Sequence, residues 1–311
     1  YWTNKERPSK SMFIGRVKGY HGVNYGGLSV GGIENNRKMF GELLTTAHMK
    51  ETITEDNLFS RGQPEQGGHL AEELEQIIES CGEENVAAVI IEPMSGSAGV
   101  IPPPLGYLDR IRDICSANNI LLIFDEVICG LGRLGESSGS EAFGVNPDIM
   151  TIAKQLTNGV IPMGATIVKN EIYDSFMDTN SPHYLLEFPH GYTYSAHPVA
   201  CAAGLASLEL LKSEDIFQRV RDVAPYFEEL VHDLRSSSLV TDIRNYGLAG
   251  GITLEHYPGE PARRPFEVAL KMWNKGFYVR YGADTIQIAP PFTVLRSELD
   301  QLFEVLKGCL T

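Results

Sequence analysis

The sequence predicts an α/β protein: a mostly parallel sheet covered by helices, followed by a smaller α+β unit. Three observations predict it. Residues 86–91 and 120–124 are short apolar runs, the pattern of strands buried on both faces, and 147–153 reads as a further buried strand. Segments of helical period lie between them. After Lys212 the pattern changes to shorter strands mixed with helices. The expected division is therefore a large domain over residues 1–212 and a small one over 213–311.

The elements follow in order. Residues 12–17 read as a strand, and 19–32 as a Gly-rich loop. Residues 70–79 are helical, with Leu70, Leu74, Ile77 and Ile78 on one face. The strand at 86–91 ends at Glu92-Pro93. Residues 107–118 form a helix whose apolar stripe is Leu108, Ile111, Ile114 and Cys115. The 120–124 and 147–153 strands follow, then a strand at 165–168 and an Ala-rich helix over 196–211. The second unit reads as a helix at 217–234, strands at 240–245 and 251–255, a helix at 266–275, strands at 277–281 and 285–288, and a closing helix from Ser297. There is no initiator Met or leader pattern, and residues 1–8 read as the tail of a helix stopped at Pro8. An N-terminally incomplete chain is expected.

Composition narrows the function. A chain of 311 residues can bury a sizeable core. A net charge of −14 disfavours nucleic acid and anionic membranes as partners. No apolar run approaches the roughly 20 residues that span a bilayer. The five scattered cysteines lack Cys-x-x-Cys spacing and suit a reducing cytoplasm. The eight histidines show no metal-ligand spacing, so no metal is expected.

The chemistry sits at strand ends. The 120–124 run opens onto Asp125 and Glu126, and the 147–153 run delivers Lys154. An acid and an amine there suit pyridoxal phosphate, with the lysine as covalent anchor and the acid as partner of the pyridinium proton. The same pair would also suit a surface salt bridge, and spacing alone does not choose. Val127 points the same way as Asp125 on a strand and could pack on the ring. Tyr20 could stack on a flat cationic ring or be a turn aromatic. His21 and His197 read as hydrogen-bonders. Gly130, Gly132 and Gly135 match Gly-x-Gly-x-x-Gly. Yet Asp125 and Glu126 would repel a pyrophosphate, 136–139 does not read as a helix start, and no acid at a second strand end follows about 20 residues on. The segment 191–198 places hydroxyls before a helix capped by Ser195, an arrangement that can hold phosphate. Arg280, read at the end of a strand, could bind a carboxylate or form a surface ion pair.

Taken together, GRVKGYHGVNYGGLSVGG, IEPMSGSAGVIPPPLGYL, LLIFDEVICGLGRLG, PDIMTIAKQLTNGVIPMGA, EFPHGYTYSAHPVACAAG, IRNYGLAGGI and FYVRYGADTIQIAPPF span nearly the whole chain. They resemble the class III (ω-amino-acid) aminotransferases of pyridoxal-phosphate fold type I, within them the ω-amino acid:pyruvate, or β-alanine:pyruvate, branch. The resemblance implies that Lys154 carries the cofactor, Asp125 partners the ring nitrogen, Val127 and Tyr20 contact the ring, and His21 and Glu92 support the site. It implies that Thr193, with Tyr192 beside it, reaches the cofactor phosphate of a partner subunit in a homodimer or homotetramer. Arg280 resembles a mobile arginine that binds the carboxylate of one substrate and moves aside for the other. The implied reaction moves an amino group from an ω-amino acid or primary amine to pyruvate.

The sequence departs from the family in three ways. The family's Gly-Ser phosphate loop would precede Tyr1, and the Gly139-Ser140-Glu141 triplet is a decoy for it. Ser97 stands where ornithine- and γ-aminobutyrate-type relatives carry a glutamate that pairs with the arginine. Ile128 and Cys129 replace a Thr or Gln often found after the Asp-Glu-Val triplet. An aminomutase or epimerase, and an incomplete non-catalytic chain, remain open as alternatives at this point.

Overall fold

The computed structural model describes residues 1–177, 182 and 184–311. Its first sheet contains β1 (Met12–Arg16), β2 (Thr46–Met49), β3 (Val86–Ile91), β4 (Leu121–Asp125), β5 (Ile149–Ile152) and β6 (Ala165–Val168). The order is β2-β1-β3-β4-β5-β6. The first five run parallel, and β6 closes the edge antiparallel to β5. The helices of this part are α1 (Tyr25–Val30), α2 (Glu34–Arg37), α3 (Glu73–Cys81), α4 (Tyr107–Ala117), α5 (Gly139–Phe143), α6 (Asn170–Met177) and α7 (Pro198–Ser213).

The apolar stripes of α3 and α4 explain how this sheet is covered. Leu74 and Ile78 of α3 and Leu108 and Ile111 of α4 share one core with Val89, Ile91, Leu122 and Phe124. Each such fully buried side chain contributes about 1.5–3 kcal/mol of transfer free energy. Helix α3 stops at Gly82, which takes φ 81° and returns its N–H to Ile78 O, a conformation open to glycine at little cost.

The second sheet is antiparallel, in the order β7-β8-β10-β9, from β7 (Val240–Tyr246), β8 (Ala249–Leu254), β9 (Arg280–Gly282) and β10 (Thr285–Ile288). It packs with α8 (Ile216–Asp233), α9 (Arg263–Asn274) and α10 (Arg296–Cys309). Its core joins Phe227, Val231, Ile243, Ile252, Ile286, Leu299 and Phe303. No helix among the described residues is long and apolar enough to cross a membrane.

Several expectations need correction. The Gly-rich 19–32 segment contains α1, capped by the Asn24 side chain on Gly27 N. Residues 70–72 lie in a 3-10 turn, so the α-helical part begins at Glu73. Strand β5 is half-buried along its length instead of buried. Helix α7 starts at Pro198 with His197 as its cap residue, and the Ser195 hydroxyl accepts instead from Tyr192 N. The strand expected at 277–281 is confined to Arg280–Gly282, because Phe277 N is drawn back onto Met272 O at the end of α9. Arg280 therefore begins its strand.

Candidate active site

The C-terminal ends of β3, β4 and β5 deliver three charged groups side by side: Glu92, Asp125 and Lys154. This is where open parallel sheets place their ligands. Lys154 lies just past β5, opens a 3-10 turn, and takes φ 46°. A left-handed backbone is costly for a residue with a Cβ and is often kept at functional sites.

Asp125 is nearly buried and held from two sides. Its Oδ1 accepts from Val127 N at 3.1 Å, and its Oδ2 lies 2.9 Å from His21 Nδ1. A carboxylate only accepts, so Nδ1 is the imidazole nitrogen that carries the proton. The other nitrogen, Nε2, is buried without a partner among the described residues. Glu92 is buried and anchors the Tyr20 loop: Oε1 accepts from Tyr20 N and Oε2 from Gly96 N, both at 2.8 Å. Burial pushes the Glu92 carboxyl pKa up, against the pull of His21, the Tyr20 N–H and Arg16.

Glu126 faces away from Asp125. Its oxygens accept from Gly139 N at 2.7 Å and Ser140 N at 2.8 Å, the first N–H groups of α5, which Ser138 caps. A helix does begin at Gly139, contrary to expectation. Its N-terminal donors are already taken by Glu126, so the dinucleotide reading still fails.

A cavity of about 890 Å³ opens beside these groups. Val127, Ile128, Lys154, Arg280 and Gln287 line it. Lys154 is exposed to this cleft yet surrounded by protein. Desolvation lowers its pKa from the lysine value of 10.5, Arg280 lowers it further, and Asp125 and Glu92 oppose the shift. The Arg280 side chain is exposed and makes no hydrogen bond or ion pair among the described residues. Cys129, by contrast, is buried with Sγ 3.4 Å from Met94 O.

Three side chains tie the second sheet to this site, and sequence reasoning missed them. Arg133 donates from Nη1 to Leu248 O (2.9 Å) and Pro290 O (2.7 Å), with its guanidinium 4.5 Å from the centre of the Phe292 ring. Burial pushes its pKa down to about 10. Arg244 pairs with Asp242 in the interior and donates to Gly99 O at 2.9 Å. Gln287 donates from Nε2 to Ser97 O at 3.2 Å. The Gly-x-Gly-x-x-Gly match had flagged the Arg133 loop, but for another chemistry.

The structure thus brings Tyr20, His21, Glu92, Asp125, Val127 and Lys154 to one region, with Arg280 across the cleft. Tyr192 and Thr193 are not part of that cluster. Both are exposed, and the Tyr192 ring meets His190 edge-on at 5.7 Å.

Residues 1–310 match the family described as aminotransferase class-III. The chain belongs to the class-III aminotransferases. This aminotransferase is 54% identical over 311 residues to a β-alanine–pyruvate aminotransferase of Pseudomonas aeruginosa, covering all of this chain and 69% of the relative. It is 52% identical over 308 residues to an ω-amino acid–pyruvate aminotransferase of Pseudomonas putida, covering 98% of this chain and 69% of that one. Among solved structures it is similar to an amine transaminase from an uncultivated Pseudomonas species in its PLP-bound form. There the TM-score is 0.91 and the identity 33%, over all of this chain and 71% of the other. The aminotransferase has the type I fold of PLP-dependent transferases, and pyridoxal phosphate is its cofactor.

The residues present fit that cofactor. A lysine on left-handed backbone faces a cavity large enough for a small aromatic ligand. An acid held by His21 and a backbone N–H stands at the neighbouring strand end. Amine and acid supply the imine-forming group and the partner of the ring nitrogen that a pyridine aldehyde cofactor requires.

Proposed function

We propose that this aminotransferase takes an amino group from an ω-amino acid such as β-alanine, or from a primary amine, and gives it to pyruvate, forming alanine. The observation that carries this reading is Arg280: an uncommitted cation lining the same cleft as Lys154. The names of the relatives from P. aeruginosa and P. putida agree with it. Ser97 offers no carboxylate to occupy the guanidinium.

When bound, pyridoxal phosphate supplies a protonated pyridine ring that accepts the electron pair released at the substrate carbon. The chain's own groups do the rest. Lys154 is the covalent anchor. Its lowered pKa raises the fraction of neutral amine, so Nζ can take the proton from the amine-bearing carbon. Asp125 holds the proton on the ring nitrogen, and His21 and Val127 N hold Asp125. Tyr20 and Val127 would flank the ring of a bound cofactor, and Glu92 fixes the Tyr20 loop by accepting from its backbone N–H. Arg280 binds the carboxylate next to the reacting carbon of pyruvate or alanine, through paired charge-assisted hydrogen bonds. It withdraws for an amine that lacks one.

The working assembly in this reading is a homodimer, or a dimer of such dimers, in the cytoplasm. Val199, Leu205 and Leu208 of α7 are exposed at 59%, 69% and 42%, and Tyr192 and Tyr194 before it at 76% and 79%. Apolar surface of this extent suits burial against a second copy. Tyr192 and Thr193 then reach the partner's cofactor phosphate. The same reading divides the chain at Lys212/Ser213: the core around Phe124 draws on earlier residues, and the core around Phe227 mainly on later ones.

The test is Arg280→Ala, with the two half-reactions followed by stopped flow. Alanine and pyruvate should lose about 2–5 kcal/mol of transition-state binding, and a carboxylate-free amine should be little affected. Equal losses would overturn the assignment.

A further inference from the structure

Arg280 has a neighbour that the reaction scheme leaves unused. Strands β9 and β10 are antiparallel, and their register sets Arg280 directly opposite Gln287. Opposed residues share a face, with Cβ atoms about 4.5–5.5 Å apart. Both side chains line the same cavity. The two differ in burial: Arg280 is exposed to the cleft, whereas Gln287 is only 9% exposed.

The Gln287 amide is also oriented. Its Nε2 donates to Ser97 O at 3.2 Å. A backbone carbonyl only accepts, so the NH2 group has to face Ser97. The amide oxygen therefore turns away from the Ser97 loop. It is a neutral acceptor on the strand next to the guanidinium.

We propose that Gln287 is a specificity-determining positioning residue for Arg280. Anchored on Ser97 O, its amide oxygen would accept from the guanidinium when Arg280 turns in to a substrate carboxylate; Arg280 makes no such bond in this structure, and a neutral acceptor leaves its charge unpaired. The proposal rests on the reading of Arg280 as the carboxylate-binding group. A carboxylate at position 287 would hold Arg280 as an ion pair and compete with the keto acid. An aliphatic side chain would offer the guanidinium no neutral acceptor when it turns in.

The test uses the PLP-loaded full chain carrying Gln287→Glu or Gln287→Met. Single-turnover kinetics are measured with alanine and pyruvate, and separately with benzylamine as a carboxylate-free donor. Gln287→Glu should raise the pyruvate half-saturation concentration roughly 10–100-fold, the weight of one hydrogen bond to a charged group. Gln287→Met should raise it less, by about 3–10-fold. Benzylamine should stay within about twofold in both, the scale expected of an altered side chain that a substrate does not touch. Lowering the pH should partly relieve the Gln287→Glu defect by neutralising the introduced carboxylate.

A parallel loss in both half-reactions would show that Gln287 merely supports the Ser97 loop, and would overturn the proposal. So would no change in either. If Gln287→Glu does not fold or load cofactor, the neutral and similar-sized Gln287→Met decides: an unchanged response to pyruvate overturns the proposal. Arg280→Ala in the same assay separates the two levels. Equal losses there remove the Arg280 reading itself. A selective loss there with non-selective Gln287 variants removes only the role of Gln287.

Discussion

Replacing Asp125 with Asn changes one oxygen to nitrogen, yet it disturbs two contacts of known geometry. Val127 N still needs an acceptor at 3.1 Å, so the amide oxygen stays at the Oδ1 position. The amide nitrogen then faces His21 Nδ1, where the carboxylate had stood at 2.9 Å. Two donors cannot share that contact. The imidazole has to move its proton to Nε2, a buried position with no partner among the described residues. A buried unsatisfied donor costs about 1–3 kcal/mol, so the variant should fold with a lowered Tm. The loss in chemistry is larger. A neutral amide no longer holds the proton on the ring nitrogen, and removing one preorganised electrostatic partner costs about 10²–10³ in rate, or about 3–4 kcal/mol. We expect the half-reaction with alanine to slow by about 10³-fold at saturating substrate. Stopped-flow absorbance of the loaded protein measures the rate, and circular dichroism with a thermal scan checks the fold. A rate within tenfold of the parent would refute the role given to Asp125.

Borohydride reduction and peptide mapping should place the cofactor on Lys154, and labelling of another lysine would sink that assignment. Capture of cofactor by the stripped protein should accelerate as pH rises, with a midpoint below the lysine value of 10.5. The sign follows because only the neutral amine attacks the aldehyde; stability runs the same way, since between the lowered folded value and the unfolded one the unfolded chain binds more protons, so this group favours the folded state as pH rises. A midpoint at or above 10.5 in the capture rates would contradict the burial argument. Glu126→Gln can supply only one oxygen to the two N–H groups of Gly139 and Ser140; it should cost about 1–3 kcal/mol in urea titration, and no change in midpoint would show the contact to be unimportant. Leu205→Glu places charge on the exposed face of α7 and should yield monomers in sedimentation experiments; an unaltered dimer would move the interface elsewhere.

The sequence made the periodic and apolar elements legible, since burial writes its own pattern. The 86–91, 165–168 and 285–288 strands lie where alternation and apolar runs put them. Elements whose formation depends on distant partners escaped. Helix α1 holds two glycines, poor helix formers, but a Cβ at Gly27 would run into His21 O. Packing there overrides propensity. Strand β2 is a four-residue edge strand, too short for its polar–apolar alternation to stand out. Helix α5 depends on Glu126, whose grip on Gly139 N and Ser140 N spans a loop. The same distinction holds at the site. Asp125, Lys154 and Glu92 stand at strand ends and were readable as such. The His21–Asp125 contact and the Gln287–Ser97 bond join residues far apart in sequence, and only the fold brings them together.

The Arg133 loop has a consequence for solution conditions. Its guanidinium is held by two carbonyl dipoles and an aromatic face, and burial alone accounts for its lowered pKa. Mobile ions screen charge pairs but have little hold on short, buried contacts with dipoles. The surface pairing of Arg61 with Glu228 and Glu229 should fade as ionic strength climbs. The Arg133 junction should not, so molar salt should leave the loop seated on the second sheet while exposed ion pairs such as those of Arg61 weaken.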